Sequence, residues 1–198
     1  MAMDLATYRA DFPYPAIRVL QKNPNYARIM LSNVGEQSSE ASSVALYLYD
    51  QIITVNEPEI SQAFALVKQT EQKHLEMFCD VAYQLGADPR LWAVTGTVSQ
   101  PMRYWSPSQL SYTANTKSLL QNALALERAT IARYERQTQE IKDDAILLLL
   151  RRVLVDESMH VEIFRGLLAD LEARTPGAAP LPAATPAISG LPQAATLS

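Results

Sequence analysis

Residues 71–78 read Glu-Gln-Lys-His-Leu-Glu-Met-Phe, and residues 157–164 read Glu-Ser-Met-His-Val-Glu-Ile-Phe. Both stretches follow the pattern Glu-x-x-His-apolar-Glu-apolar-Phe, and they contain the only two histidines of the chain, His74 and His160. In an α-helix, residues i and i+3 lie on one face, one turn apart. A carboxylate and an imidazole placed in this way can bind the same metal ion. The repeated motif therefore predicts two helices that contribute to a metal site.

A single Glu-x-x-His pair is more often a solvated surface pair than a metal site. Here, however, apolar residues surround each motif at helical spacing, within about 60° of its first glutamate. They are Phe64, Val67, Leu75, Phe78 and Ala82 around the first motif, and Leu150, Val153, Leu154, Val161, Phe164 and Leu168 around the second. Both motifs are thus predicted to face a core. A buried carboxylate without a partner costs several kcal/mol, so a compensating group is required.

The composition limits the possible classes of protein. The chain has 198 residues, of which 48% are apolar and 19% charged, and this balance favours one soluble domain with a sizeable core. A formal net charge of -4 gives no indication of binding to nucleic acid or to an anionic membrane. Cys79 is the only cysteine, which excludes an internal disulfide and a four-cysteine metal site and favours a reducing, cytoplasmic setting.

No segment is predicted to be a membrane span or a targeting signal. The longest aliphatic run, residues 145–150, stops at Arg151 and is far shorter than the ~20 residues that span a bilayer. Residues 1–13 include Asp4 and Asp11 and lack an apolar signal core. We therefore expect no membrane partner.

Caps, prolines and glycines predict four long helices. Asn23-Pro24 begins the first, Asn56 and Pro58 begin the second, and Gly86 ends the second. The predicted helices are residues 24–54, 56–85, 115–140 and 143–174. The proline- and tryptophan-containing residues 87–114 form a connection long enough to cross a bundle. The sequence thus predicts an all-α four-helix bundle with one long crossover between helices two and three.

The expected domain organisation has three parts. Residues 1–23 form an extended leader packed on the surface, and residues 24–174 form the bundle. Residues 175–198 are rich in Ala and Pro, contain no charged side chain and are predicted to be a flexible tail.

The first and third predicted helices each offer one inward glutamate. Glu40 is followed seven residues later by Tyr47, and Glu127 by Tyr134, so each pair shares a helix face. Glu40 precedes Glu71 by 31 positions and Glu127 precedes the second motif by 30, which makes the two halves a pseudo-repeat offset by 86 or 87 residues. The rival on the first helix is Glu36, but its repeat counterpart is Ala123, so we interpret Glu36 as a surface or accessory residue.

Six residues form the predicted ligand set, and its charge fits two divalent cations. Four glutamates and two neutral histidines carry four negative charges, which two such ions cancel. Helix bundles that hold two iron or manganese ions use one Glu from each of two helices and Glu-x-x-His from each of the other two. The predicted metal ligands are Glu40, Glu71, His74, Glu127, Glu157 and His160.

Two tyrosines and two further glutamates also belong to the repeated pattern. Tyr47 and Tyr134 either pack in the core or donate hydrogen bonds to ligand carboxylates, and we name them as candidate catalytic residues. Glu76 and Glu162 lie about 140° away from the ligand glutamates on the helix, and ordinary salt bridges are the expected role for them.

With these residues, the chain resembles the ferritin-like superfamily, and most closely the bacterial rubrerythrin-like ferritin-like domain proteins, over about residues 12–172. The supporting stretches are Tyr14-Pro15, Asn23 to Ala27 and Tyr104-Trp105-Ser106. The single Cys79 excludes the four-cysteine iron site of rubrerythrins proper, and the Ala/Pro-rich tail argues against a closed ferritin shell.

The resemblance implies a dinuclear iron or manganese site, with Glu40 and Glu127 as terminal or bridging carboxylates, that reacts with hydrogen peroxide or dioxygen. We therefore expect an oxidoreductase that can take electrons from an external donor and that forms a homo-oligomer, as a dimer. Two alternatives stay open: an iron-sequestering protein with ferroxidase activity, and a structural bundle that the metal staples together. Carboxylate and imidazole ligands suit iron and manganese equally, so the sequence does not choose between them.

Overall fold

The computed structural model describes residues 8–93 and 103–174. Its helices are α1 (Pro24–Gly35), α2 (Glu40–Ile53), α3 (Pro58–Gln84), α4 (Thr116–Glu140) and α5 (Asp144–Arg174). Helices α1 and α2 both pack along α3, and α4 packs along α5, so the five helices form the four arms of a bundle. The predicted all-α bundle with one long crossover is confirmed. The predicted tail, the first seven leader residues and part of the crossover lie outside the described residues.

The ends of the helices follow the sequence signals with one exception. The side chain of Asn115 accepts from the amide of Ser118 at the start of α4, and Gly86, with φ of 99°, ends α3. Asn56 does not cap α3, because Glu57 occupies the position before the helix and makes no side-chain cap. No described helix combines the length and the apolar character that a bilayer span requires.

The first arm differs from the prediction of one continuous helix. It is interrupted at residues 36–39, because Glu36 and Ser39 are extended. A Cβ atom on Gly35 would lie 2.2 Å from the carbonyl oxygen of Trp92, so only glycine permits this close approach. Within the break itself, the carbonyl oxygen of Ser38 accepts hydrogen bonds from Thr130 and Arg133 of α4. These contacts with distant residues stabilise a break that local propensity alone does not require.

The crossover is anchored by aromatic residues. Two short strands, β1 (Trp92–Ala93) and β2 (Arg103–Tyr104), pair antiparallel, and the rings of Trp92 and Tyr104 stack 4.5 Å apart. A 3-10 turn follows at Pro107–Gln109. Trp105 donates from its indole nitrogen to Ser42 of α2 at 3.0 Å. The crossover is thereby fixed to the first arm.

Two apolar clusters fill the bundle. One lies around α1, the C-terminal half of α3 and the start of α5, and includes Met30, Phe78 and Leu149. The other lies around α2, the N-terminal halves of α3 and α4 and the C-terminal half of α5, and includes Phe64, Leu120 and Phe164. The motif residues occur along each helix between these clusters, so the bundle places them at mid-depth.

Candidate metal centre

The six predicted ligands come together in the middle of the bundle. Their side chains are buried, with at most 1% of any of them exposed. They form two overlapping groups in which one ligand atom per residue lies within 4.8 Å of the others. The first group is Glu40, Glu71, His74 and Glu157, and the second is Glu71, Glu127, Glu157 and His160.

Glu71 and Glu157, hereafter the shared carboxylates, belong to both groups and lie between the histidines. The Nδ1 atom of His74 lies 3.5 Å from Glu71 and 3.1 Å from Glu157. The Nδ1 atom of His160 lies 2.8 Å from Glu71 and 3.6 Å from Glu157. Glu40 and Glu127, hereafter the outer carboxylates, each join one group. The shared carboxylates are thus within reach of both groups, and each outer carboxylate is within reach of one.

Several of these buried atoms lack hydrogen bonds, which is the arrangement that a metal ion would satisfy. The atoms without a hydrogen-bond partner in the described structure are Glu40 Oε2, Glu71 Oε1, His74 Nδ1, both Oε atoms of Glu157, and both ring nitrogens of His160. Some of these histidine nitrogens and carboxylate oxygens lie close together, but the angles between them do not fit a hydrogen bond. Buried polar atoms are normally paired, so carboxylate oxygens and histidine Nδ1 atoms that lie close together without partners fit cation binding. The residues present therefore fit two divalent metal ions.

The two predicted tyrosines contact the outer carboxylates, in a crossed arrangement. The hydroxyl of Tyr47 donates to Glu127, and the hydroxyl of Tyr134 donates to Glu40. Each tyrosine thus reaches the glutamate of the opposite half, although the sequence pattern pairs it with the glutamate on its own helix. Both tyrosines are also core residues, since Tyr47 packs on two phenylalanines at ring distances of 5.5 and 5.4 Å.

Glu36, Glu76 and Glu162 lie away from the centre. Glu36 is half-buried where α1 ends. Glu76 lies 3.2 Å from the ammonium of Lys73, and Glu162 pairs with Arg165, both on exposed helix faces. The expected salt bridges of the third motif residues are confirmed.

Comparison with known proteins assigns the family. The rubrerythrin family profile matches residues 37–168, which include all six predicted ligands. The chain belongs to the rubrerythrin family. No curated protein sequence matches this chain.

Solved structures show that this rubrerythrin-family chain has a ferritin-like fold. Wild-type KatB, a manganese catalase from Anabaena, is 19% identical, with a TM-score of 0.71 over 89% of this chain and 86% of that one. A second structure of KatB, from Anabaena PCC7120, is also 19% identical, with a TM-score of 0.71 over 88% and 85% of the two chains.

The outer and the shared carboxylates of this rubrerythrin-family site have pKa values shifted in opposite directions. Burial and the charge of nearby Glu71 raise the pKa values of the outer carboxylates well above the usual range. Burial opposes protonation of the histidines, but the surrounding carboxylates outweigh it and raise both imidazole pKa values well above the usual range. Burial also opposes ionisation of the shared carboxylates, but the histidines hold the pKa values of both below the usual range.

Burial and neighbouring charges thus favour the protonated form of the outer carboxylates and of both imidazoles, and the ionised form of the shared carboxylates. Divalent cations bound at the site would instead require ionised carboxylates and neutral imidazoles, because both bind metal through a free lone pair.

Sequence reasoning missed three residues at the edge of the site. Asp156, which is fully buried, lies 3.1 Å from the Nε2 atom of His74. Tyr14 and Arg152 in turn contact Asp156. The counterpart of Asp156 in the pseudo-repeat is Thr70, so the repeat gave no signal for it. The signal available in the sequence was an acidic residue four positions after an arginine and directly before a predicted ligand glutamate.

Proposed function

We propose that this protein is a non-haem dinuclear iron or manganese oxidoreductase that reacts with hydrogen peroxide or dioxygen. One observation carries the proposal: two four-residue groups overlap at Glu71 and Glu157, inside a buried cluster whose ligand atoms lack hydrogen-bond partners. Two groups that share two carboxylates match the needs of two adjacent cations.

The proposed roles follow from position. The shared carboxylates would help to hold both metal ions, and one outer carboxylate and one histidine Nδ1 atom would complete each of the two groups. A pair of iron or manganese ions would supply a change of oxidation state and open positions for substrate oxygen. The protein would hold the ligands rigidly, because apolar residues pack above and below the centre.

Tyr47 and Tyr134 would act by orienting the outer carboxylates. Burial raises the pKa values of both phenols well above the usual range, so each hydroxyl remains a hydrogen-bond donor at neutral pH. A carboxylate whose one oxygen accepts from a tyrosine presents its other oxygen to the metal in a fixed direction.

We favour peroxide as the oxidant. Two metal ions that each change by one electron exchange two electrons, which is the number that hydrogen peroxide accepts when it forms water. Disproportionation of two peroxide molecules to water and dioxygen needs no further reactant. Peroxide reduction or dioxygen reduction to water needs an external donor, since the single cysteine excludes a four-cysteine iron centre in this chain.

Metal-loaded protein tests the proposal directly. Protein reconstituted with Mn(II) or Fe(II) is mixed with hydrogen peroxide, with and without a reductant, and oxygen is followed with an electrode. Oxygen release over many turnovers indicates catalase activity, and reductant-dependent peroxide loss indicates peroxidase activity. Glu71→Ala, which removes a shared carboxylate, should abolish either activity, and Glu76→Ala on the same helix is the matched control.

Other results would support the alternatives. Oxygen consumption on addition of Fe(II), with retention of the iron, would favour ferroxidase and sequestration. Metal-dependent thermal stability without any turnover would favour a structural role. The same proposal places the protein in the cytoplasm. It also makes the protein a homodimer, and light scattering after size-exclusion chromatography would measure that oligomeric state.

A further inference from the structure

The two histidines differ in what contacts them on the side away from the carboxylates. The Nε2 atom of His74 lies 3.1 Å from Oδ2 of Asp156, in hydrogen-bond contact. The Nε2 atom of His160 is equally buried, but it has no hydrogen-bond partner among the described residues. The position that corresponds to Asp156 in the repeat is Thr70, whose hydroxyl contacts the backbone oxygen of Leu66.

Asp156 is held in place by the leader. One of its oxygens accepts from the amide of Ala10 at 2.7 Å, and the other accepts from the hydroxyl of Tyr14 at 2.6 Å. Arg152, one turn earlier on α5, lies 2.7 Å from the first oxygen. All three contacts favour an ionised, immobile carboxylate.

Arg152 connects the leader to α5 more broadly. Its guanidinium donates to the carbonyl oxygens of Phe12 at 3.1 Å and Ala10 at 2.9 Å. It also lies over the rings of Phe12 and Tyr14, at 4.4 and 4.2 Å from their centroids. The leader segment 10–14 is therefore fastened around Arg152 and Asp156, at the outer side of only one of the two histidines.

A hydrogen bond to Nε2 has a defined consequence for a metal-binding histidine. An imidazole that donates from Nε2 to a carboxylate keeps its lone pair at Nδ1, its ring is fixed in orientation, and its basicity as a ligand rises. In this structure Nδ1 of His74 faces the shared carboxylates, so the same hydrogen bond aims the lone pair at the cluster.

We infer that Asp156, fixed by Tyr14, Arg152 and the leader, is a positioning residue that makes the two metal positions unequal. The position with Glu40 and His74 binds its divalent cation first and more tightly than the position with Glu127 and His160. This inference rests on the proposed dinuclear site and adds an order of loading to it.

Two histidines in the chain permit a direct spectroscopic test. The full-length protein is labelled with 15N-histidine and loaded with diamagnetic Zn(II), and both imidazole rings are observed by NMR. We expect one Nε2 proton, that of His74, to resonate far downfield and to exchange slowly, because it is bound to a buried carboxylate. Asp156→Asn and Tyr14→Phe should shift this signal, and Thr70→Val, the matched control in the other half, should leave it unchanged.

Stepwise titration with Mn(II), followed by calorimetry and by the EPR signal of free Mn(II), measures the affinities. Wild-type protein should show two unequal steps, and Asp156→Asn should weaken the tighter step by about 10- to 100-fold and leave the weaker step unchanged. Tyr14→Phe should change the same step in the same direction by less. Because it removes only one hydroxyl, Tyr14→Phe carries the test if Asp156→Asn does not fold.

The outcomes separate this inference from the proposed function. Wild-type protein that binds neither Mn(II) nor Fe(II) would overturn both. Two equal binding steps, or equal weakening of both steps in the Asp156 and Tyr14 variants, would overturn only the unequal-site inference. A Thr70→Val variant that weakens binding as much as Asp156→Asn would also overturn it, since the effect would then not depend on the carboxylate.

Discussion

The two halves of the bundle, α1 to α3 and α4 to α5, present matching predicted ligands on helices that begin at different points. In the second half, Glu127 lies within the unbroken helix α4. In the first half, Glu40 is the first residue of α2, directly after the break at residues 36–39. A helix start places partial positive charge near this carboxylate, whereas the middle of a helix does not.

The predicted ligand positions match between the two halves, whereas other buried positions differ. Asp156 and its repeat counterpart Thr70 are both buried, yet of these two only Asp156 contacts a histidine. Among the described residues of the leader, Tyr14 reaches the His74 side of the site. An internally symmetric ligand set therefore does not require a symmetric site.

Alanine variants of the predicted ligands should have the largest effects, and the number of metal ions lost should distinguish the shared carboxylates from the other ligands. Glu71→Ala or Glu157→Ala should lose both metal ions, because each belongs to both groups. His74→Ala or His160→Ala should lose one. Elemental analysis of purified variants measures the stoichiometry, with Glu36→Ala as the control. If Glu36→Ala removes metal and Glu40→Ala does not, the ligand assignment in the first half is wrong.

Metal removal should change the pH dependence of stability. The raised pKa values of the outer carboxylates and histidines stabilise the apoprotein at low pH, and this contribution is lost as pH rises through the folded pKa values. The lowered pKa values of the shared carboxylates stabilise it above their unfolded values, and this contribution is lost on strong acidification.

The apoprotein should therefore lose stability from neutral to alkaline pH, where the histidines lose their extra protons. The metal-loaded protein should instead lose stability as pH falls, since metal binding requires ionised carboxylates and neutral histidines. Thermal melts of both forms between about pH 5 and pH 9 test this contrast. Identical profiles for the two forms would contradict it.

The break in the first arm should be sensitive to a single methyl group. Gly35→Ala places a Cβ atom 2.2 Å from the carbonyl oxygen of Trp92, and we expect it to lower the free energy of unfolding by about 1–3 kcal/mol. Asn122→Ala, at the corresponding exposed position of α4, should change it by less than about 0.5 kcal/mol. Urea unfolding of the two variants measures the difference. Equal losses of stability in the two variants would contradict a specific requirement for glycine where the first arm contacts β1.

The crossed tyrosines probe the two outer carboxylates separately. Tyr47→Phe and Tyr134→Phe should each lower the free energy of unfolding by about 1–3 kcal/mol, because each leaves a buried carboxyl group without its donor. Tyr134→Phe should be the milder change, since its partner Glu40 also lies at a helix start. Urea unfolding of apoprotein compares them, and a larger loss for Tyr134→Phe would contradict the contribution of the helix start.

The smallest effect is expected at the third motif residues. Glu76 and Glu162 form exposed ion pairs within their own helices. Glu76→Gln and Glu162→Gln should each change stability by less than about 1 kcal/mol and leave metal content intact. A loss of metal in either variant would show that the motif extends beyond its first glutamate and histidine.

The sequence by itself determined the fold class, the four arms and the six residues that converge in the core. These features follow from helical periodicity, from caps such as Asn115 and from a repeat whose spacing places the ligands at equal depth. Such signals are local, because each depends on residues within one helix or on the comparison of two similar helices.

Only the tertiary structure decided the break before Glu40, the crossing of the tyrosines and the hydrogen bond from His74 to Asp156. Each depends on atoms that are far apart in the chain: Ser38 with Arg133, Tyr134 with Glu40, and Tyr14 with Asp156. Helical periodicity gives the face on which a side chain lies, but it does not determine which neighbouring helix or leader residue occupies the space opposite. That depends on how the helices pack, and the packing gives matching motifs unequal surroundings.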